Sequence, residues 1–248
     1  MLCLRPVRFR WAMEWMRSRG YRTLSFAEFM NGGSRNRAML LTFDDGFEDA
    51  YTELFPISLE FQLKVTIFLV AGRIGAVNDW RSAGLSERRL LSLRQIREMV
   101  AYGVEFGSHS LSHRYLPDLN RVELQREVCE SKARLESMLG KEIIAFSYPF
   151  GGHNERVVEA VREAGYQAGL NGQVGSGSDH DVFRICRAEL REVDRPIDMR
   201  LKLATGKSVG QLVRSGFAKL AGPLSLQLAK AAGIEVSEAS GERRMGSQ

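Results

Sequence analysis

Short apolar runs, each closed by glycine, aspartate or proline, alternate along this chain with helical repeats. "AMLLTF" ends at Phe43, directly before Asp44, Asp45 and Gly46. "KVTIFLV" spans Lys64 to Val70 and is rich in β-branched residues. Ser92 and Gln95 form a capping-box pattern ahead of Leu93, Ile96 and Val100, and Gly103 ends that helix. "VEFGSH" is a further strand, followed by a long polar helix over about residues 121–139 with Leu124, Val128, Leu135 and Met138 inward. "IIAFSYP" closes on Pro149, a helix follows from Glu155 to Ala164, and "YQAGLN" and "DVFRICRAEL" read as late strands. Near the start, Phe9, Met13 and Met16 share a helix face, "YRTL" is a short strand, and Ser25 caps "FAEFM". Alternation of this kind predicts an α/β fold, either a parallel sheet or a β/α barrel. With 248 residues, 44% of them hydrophobic, the chain can bury one sizeable core.

Several functional classes are disfavoured. Cys3, Cys129 and Cys186 are scattered and form neither a disulfide framework nor a thiolate zinc site. No window reaches the roughly 18 apolar residues of a spanning helix. The first twenty residues lack the apolar stretch and small-residue cleavage site of a signal peptide, so the chain as written is expected to be cytoplasmic. The net charge of +5 is uneven. Six basic residues and no acid lie between Met199 and Gly233, and without them the rest stands at −1. A nucleic-acid partner is therefore not expected. Residues 1–203 read as one domain and 204–248 as a basic tail. Within the tail, Val209, Leu212, Val213, Phe217 and Leu220 fall near one helical face. That pattern suits a helix packed on the barrel, or peripheral contact with an anionic membrane.

Two carboxylates side by side at a strand end repel each other unless a cation or a shared proton intervenes. A plain Asp-Gly turn is the competing explanation. His109 and His113 follow another strand end, and a spacing of four on a helical turn brings both imidazoles to one side. Only four histidines exist, and two stand here. Two imidazoles and one carboxylate suit a divalent metal, Zn²⁺ first and Co²⁺ or Ni²⁺ next, leaving the second carboxylate as a base. "FSYPFGGHNE" (Phe146 to Glu155) adds a strand-to-helix turn whose backbone N–H groups can face an oxyanion.

These three stretches, in this order, resemble the polysaccharide deacetylase family with its NodB homology domain. Thr42 to Gly46 matches the Thr-Phe-Asp-Asp-Gly motif in full. His109, Ser110 and His113 match His-Ser/Thr-x-x-His, and Pro149, Phe150 and Gly151 match the Pro-aromatic-Gly turn. The resemblance covers roughly Phe9 to Leu203 and implies a deformed (β/α) barrel that removes N-acetyl groups from an N-acetylated amino sugar. It implies Asp44 as general base, Asp45, His109 and His113 as metal ligands, and the Phe150 N–H as oxyanion donor. Other family features are not visible. No histidine follows His180, the late Asp-Trp pair is absent, and Asp79-Trp80 comes too early to match it. Ser147 stands at about the place of the family's usual arginine, and Arg184 or Arg187 are the candidates to replace that cation. His180 and His153 are the spare histidines for the general acid, although a surface-loop histidine explains each as well. Hydrolysis of another non-peptide C–N bond, or carbohydrate binding with weak catalysis, are the alternative functions.

Overall fold

The computed structural model describes residues 4–32, 36–80, 87–172 and 181–205. The chain divides into two compact units, Met1–Val193 and Asp194–Gln248.

The first unit opens with α1 (Pro6–Arg17), which buries Phe9, Ala12, Met13 and Met16. Strand β1 (Arg22–Leu24) and helix α2 (Phe26–Met30) follow. Ser25 and Glu28 close the start of α2 with a reciprocal capping box. Strand β2 (Ala38–Leu40) pairs with β1 in parallel, forming a small two-stranded sheet. The main sheet has five parallel strands in chain order: β3 (Thr42–Phe43), β4 (Thr66–Leu69), β5 (Glu105–Ser108), β6 (Ala145–Ser147) and β7 (Ala168–Leu170). Helices α3 (Phe55–Phe61), α4 (Leu93–Ala101), α5 (Arg121–Gln125), α6 (Ser131–Leu139) and α7 (Glu155–Glu163) lie between or beside these strands in sequence. A π-helical turn, Arg126–Glu130, joins α5 to α6, so the helix expected over 121–139 is one helical run with a widened centre.

Two expected strands are corrected. "AMLLTF" is not one strand but two, because the run is shared between two partners. Ala38 to Leu40 pair with β1, and Thr42 and Phe43 pair with β4. At the junction the Leu41 carbonyl accepts a hydrogen bond from Thr66 N–H. "DVFRICRAEL" is not a strand, because the Asp181 side chain accepts from Phe183 N–H and turns the chain at its start. Only Ile185 keeps a parallel bridge, to Leu170.

All four residues of β4 are buried, as expected for a parallel strand covered on both faces. Phe68 packs there in a cluster with Phe26, Ala145, Ala168 and Leu170. Because each strand pairs with its neighbour in parallel, every strand points the same way. The residues that follow β3, β5 and β6 therefore emerge at one edge, the carboxyl edge where β/α folds place their sites.

In the second unit, α8 (Pro196–Thr205) is the described element. Lys202 there pairs with Asp194 at 2.5 Å, and both side chains are nearly buried. No helix of the described residues is long and apolar enough to cross a membrane. The basic tail beyond Thr205, with the membrane contact expected of it, lies outside the described residues, as does His180.

Candidate active site

Asp44 and Asp45 leave β3 in different directions, and the backbone explains why. Asp45 has φ +70° and Gly46 also has φ +70°. Aspartate tolerates the left-handed region better than most residues, and glycine enters it freely. A side chain at position 46 would also collide with buried Leu69, whose Cδ2 would lie 2.6 Å from the added Cβ. Gly46→Ala is thus expected to cost about 2–3 kcal/mol, from the disfavoured φ together with overpacking. Urea denaturation of the full chain measures it.

The left-handed step sends the two carboxylates to separate partners. Asp45 Oδ1 lies 3.4 Å from His109 Nε2 and 3.2 Å from His113 Nε2. Asp44 instead receives a two-pronged hydrogen bond from Arg187, Nη1 to Oδ1 at 2.8 Å and Nη2 to Oδ2 at 2.7 Å. Neighbouring like charges are tolerated because each faces its own cationic or cation-binding group.

His109 and His113 do come together, but not on a helical turn. The segment after β5 is an irregular loop in which Ser110 has φ +66° and His113 φ +63°. The Ser110 hydroxyl accepts from His113 N–H at 3.0 Å and closes the loop on itself. His109 Nδ1 lies 2.8 Å from the Ser147 carbonyl. A carbonyl can only accept, so Nδ1 carries a hydrogen, and Nε2 is the ring nitrogen that faces Asp45.

One ligand atom each from Asp45, His109 and His113 fall within 4.8 Å of one another. Two imidazole nitrogens and one carboxylate oxygen form a donor set that a borderline divalent ion accepts. The carbonyl bond that fixes the His109 tautomer is the usual outer support of such a ligand. The residues present fit a divalent metal. Burial works against a charged imidazole at both histidines; at His113 it prevails and lowers the pKa. At His109 the facing Asp44 and Asp45 outweigh it and raise the pKa. Burial would raise the Asp45 carboxyl, but hydrogen bonds from both histidines hold it well below the usual carboxylate range.

The gap between β7 and β3 is crossed by the segment that carries Arg187. Ile185 exchanges backbone hydrogen bonds with Gly169 and Asn171 at 2.9 Å each. Arg187 then donates from Nε to the Asn171 carbonyl at 3.1 Å, and from its terminal nitrogens to Thr42 Oγ1 at 3.2 Å and Ser147 Oγ at 3.0 Å. Arg184, the other candidate cation, pairs with Glu155 and Asp181 instead. Ser147 drew notice in the sequence only for not being arginine. In the structure its hydroxyl holds Arg187 and its carbonyl holds His109.

Phe150 stands at the rim. Its backbone is left-handed at φ +58°, its ring meets His113 edge-on at 4.6 Å, and 57% of it is exposed. His153 bonds the Gly151 carbonyl through Nδ1 and stacks on Tyr148. Trp80 was not expected here, yet its ring stacks on His113 at 4.4 Å. Asn78 holds that loop, donating to the Trp80 carbonyl and accepting from Arg88 N–H. Buried Glu127 was missed as well; its carboxylate bonds the backbone of the histidine loop at Leu111 and Ser112.

The family pattern described as Polysaccharide deacetylase matches residues 31–169, more than half of the chain. The chain belongs to the polysaccharide deacetylase family. It is 28% identical over 184 residues to YxkH of Bacillus subtilis, which is named for the same family, with 72% of this chain and 62% of that one covered. It is 25% identical over 193 residues to the poly-beta-1,6-N-acetyl-D-glucosamine N-deacetylase of Staphylococcus epidermidis, covering 72% and 65%. The chain thus spans about six tenths of the length of these curated relatives. Among solved structures, the Streptococcus pyogenes deacetylase PplD, determined with acetate, superposes with TM-score 0.71 at 24% identity, covering 83% of this chain and 88% of that one. IcaB from Ammonifex degensii does so with TM-score 0.64 at 21% identity, covering 82% and 89%. These likenesses establish the fold as the deacetylase family's deformed (β/α) barrel.

Proposed function

We propose that this chain is a metal-dependent hydrolase that removes N-acetyl groups from an amino sugar in a glycan or glycolipid. The observation that carries the reading is the cluster of Asp45, His109 and His113 beside a separately held Asp44. Family membership supports the reaction class, and the Staphylococcus epidermidis relative supports an N-acetylglucosamine substrate.

Asp45, His109 and His113 would hold the ion, with Zn²⁺ the first expectation and Co²⁺ or Ni²⁺ the next. Such an ion supplies Lewis-acid activation of a water and of the amide carbonyl. Asp44 is the general base. Burial would raise its pKa, but the Arg187 guanidinium outweighs burial and holds it low, so it is ionised and able to take a proton at neutral pH. The Phe150 N–H, in the turn against His113, is the oxyanion donor. Asp44, once protonated, can return its proton to the leaving amine. Arg187 positions Asp44 in the role of the family's missing arginine. The Phe150, Trp80 and His113 rings would border the groove for the sugar.

The test is metal content and acetate release in the same samples of wild type and a His109→Ala/His113→Ala variant. Wild type should carry about one ion per chain and release acetate from an N-acetylglucosamine oligomer, and the variant should do neither, as loss of two ligands from a three-ligand site requires. A variant that keeps full metal sinks the site. Wild type that binds metal and glycan without releasing acetate would point to the carbohydrate-binding alternative. Metal-dependent release from another amide alone would point to the other C–N hydrolase.

A further inference from the structure

We propose that Glu127 is a positioning residue that locks the His109–His113 loop into its ligating shape. The inference rests on the metal site proposed above and concerns what holds that site rather than what fills it.

The loop is costly to form. Two non-glycine residues within four positions, Ser110 and His113, adopt left-handed φ. Such residues persist only where surrounding structure over-determines them. On one side, β4 and the residues after it supply that support. Ala71 N–H donates to the Ser110 carbonyl at 3.0 Å and Gly72 N–H to the Leu111 carbonyl at 2.7 Å. The approach is so close that an added Cβ at position 72 would lie 2.5 Å from the Leu111 oxygen.

On the other side the support is a single carboxylate. Glu127 Oε2 accepts from Leu111 N–H at 3.0 Å and from Ser112 N–H at 2.9 Å. Its Oε1 accepts a short hydrogen bond from the Ser112 hydroxyl. Two consecutive backbone N–H groups converging on one oxygen form an anion-binding nest, and here the anion belongs to the protein. Glu127 is 5% exposed and lies on the inward face of its helix with Leu124, Val128 and Leu135. An ionised side chain in that company is costly unless its oxygens are satisfied. The loop satisfies them, and the widened turn Arg126–Glu130 carries the residue. π-turns of this kind are frequent at functional sites.

The bonds fall between the two histidines in sequence, so the residues they fix are those that set the distance between the imidazoles. Loss of the carboxylate frees Leu111 and Ser112 and lets the ring nitrogens drift apart, while the fold keeps its core.

The experiment titrates Co²⁺ alone into metal-free full-length chain and reads visible ligand-field absorbance, with a chelator competing to set affinity. Four proteins are compared: wild type, Glu127→Ala, Glu127→Gln and Glu136→Ala. Glu136 is the control because it too accepts from a backbone N–H, that of Ile143, and pairs with Lys132, but does not bond the histidine loop. Glu127→Ala is expected to weaken Co²⁺ about 10–100-fold and alter the absorbance band, the range usual for outer supports of metal ligands. Glu127→Gln keeps an oxygen for both N–H groups and an amide for the Ser112 hydroxyl, so it should recover most of that loss. Glu136→Ala should lower the thermal midpoint of the metal-free chain and leave Co²⁺ affinity alone.

Glu127→Ala binding Co²⁺ as tightly as wild type would overturn the proposal. So would a Gln variant as weak as the Ala variant, which would make the charge rather than the hydrogen bonds responsible, or a Glu136→Ala loss of equal size, which would make the effect one of global stability. Wild type that binds no Co²⁺ would defeat the metal-site reading itself and this inference with it.

Discussion

Asp44→Asn and Asp45→Asn, one residue apart, are expected to fail in different ways. Asp45→Asn removes the carboxylate among the three proposed ligands, so metal affinity should fall more than about 100-fold, beyond the range of outer-shell changes, and acetate release should go with it. Asp44→Asn should keep the metal, because the Asp44 carboxylate faces Arg187 rather than the cluster. Its kcat should nevertheless fall about 10²–10⁴-fold, the usual worth of a positioned base. Metal stoichiometry and single-turnover acetate release on the same preparations separate the two losses. Equal loss of metal in both variants would mean that the aspartates act as one unit and that the division of roles is wrong. The prediction follows from the backbone: a left-handed Asp45 turns adjacent side chains to opposite duties.

Much of this site could be read from the sequence because its parts are local. Asp44, Asp45, His109, His113 and Phe150 each follow a strand end, and strand ends are visible as apolar runs that stop at aspartate, histidine or proline. Parallel strands in chain order then force those ends to one edge. The helical reading of His109–His113 failed because spacing alone does not distinguish a helical turn from a loop. Ser110 and His113 in left-handed conformation reach the same proximity by another route.

What the sequence concealed depends on long-range packing. Arg187 meets Asp44 across 143 positions, and no local pattern distinguishes it from Arg184, three residues earlier. The choice is made by the turn at Asp181, which sends Arg184 to Glu155 and leaves Arg187 facing β3. Trp80 lies in a loop with no periodicity, so its stack on His113 had no sequence signature. Glu127 did leave a trace. It falls three residues after Leu124 and eight before Leu135, a charge on an apolar face. Such a charge needs buried partners, and the histidine loop supplies them.

Arg187→Ala should then show whether the position of a cation, rather than the segment that supplies it, is what the proposed base Asp44 requires. With the guanidinium gone, Asp44 loses both prongs of its pairing and is free to turn. Its side chain is 33% exposed, so water offsets part of the loss, and destabilisation should be about 2–3 kcal/mol, below the full cost of breaking a buried pair. Displacement of a base by an ångström or so costs about 10²-fold in rate, and this should appear in kcat with metal stoichiometry unchanged. Arg187→Lys should restore only part, since an ammonium cannot grip both Asp44 oxygens and reach Thr42 and Ser147 as well. The decisive arm is Ser147→Arg in the Arg187→Ala background. That change supplies a guanidinium from β6 instead, and leaves the Ser147 backbone carbonyl that holds His109 in place. Recovery of kcat above the single Arg187→Ala variant would show that a guanidinium delivered from β6 can take over the contact with Asp44 that Arg187 makes. A double variant no faster than Arg187→Ala, with its metal still bound, would show that the late segment does more than deliver one charge.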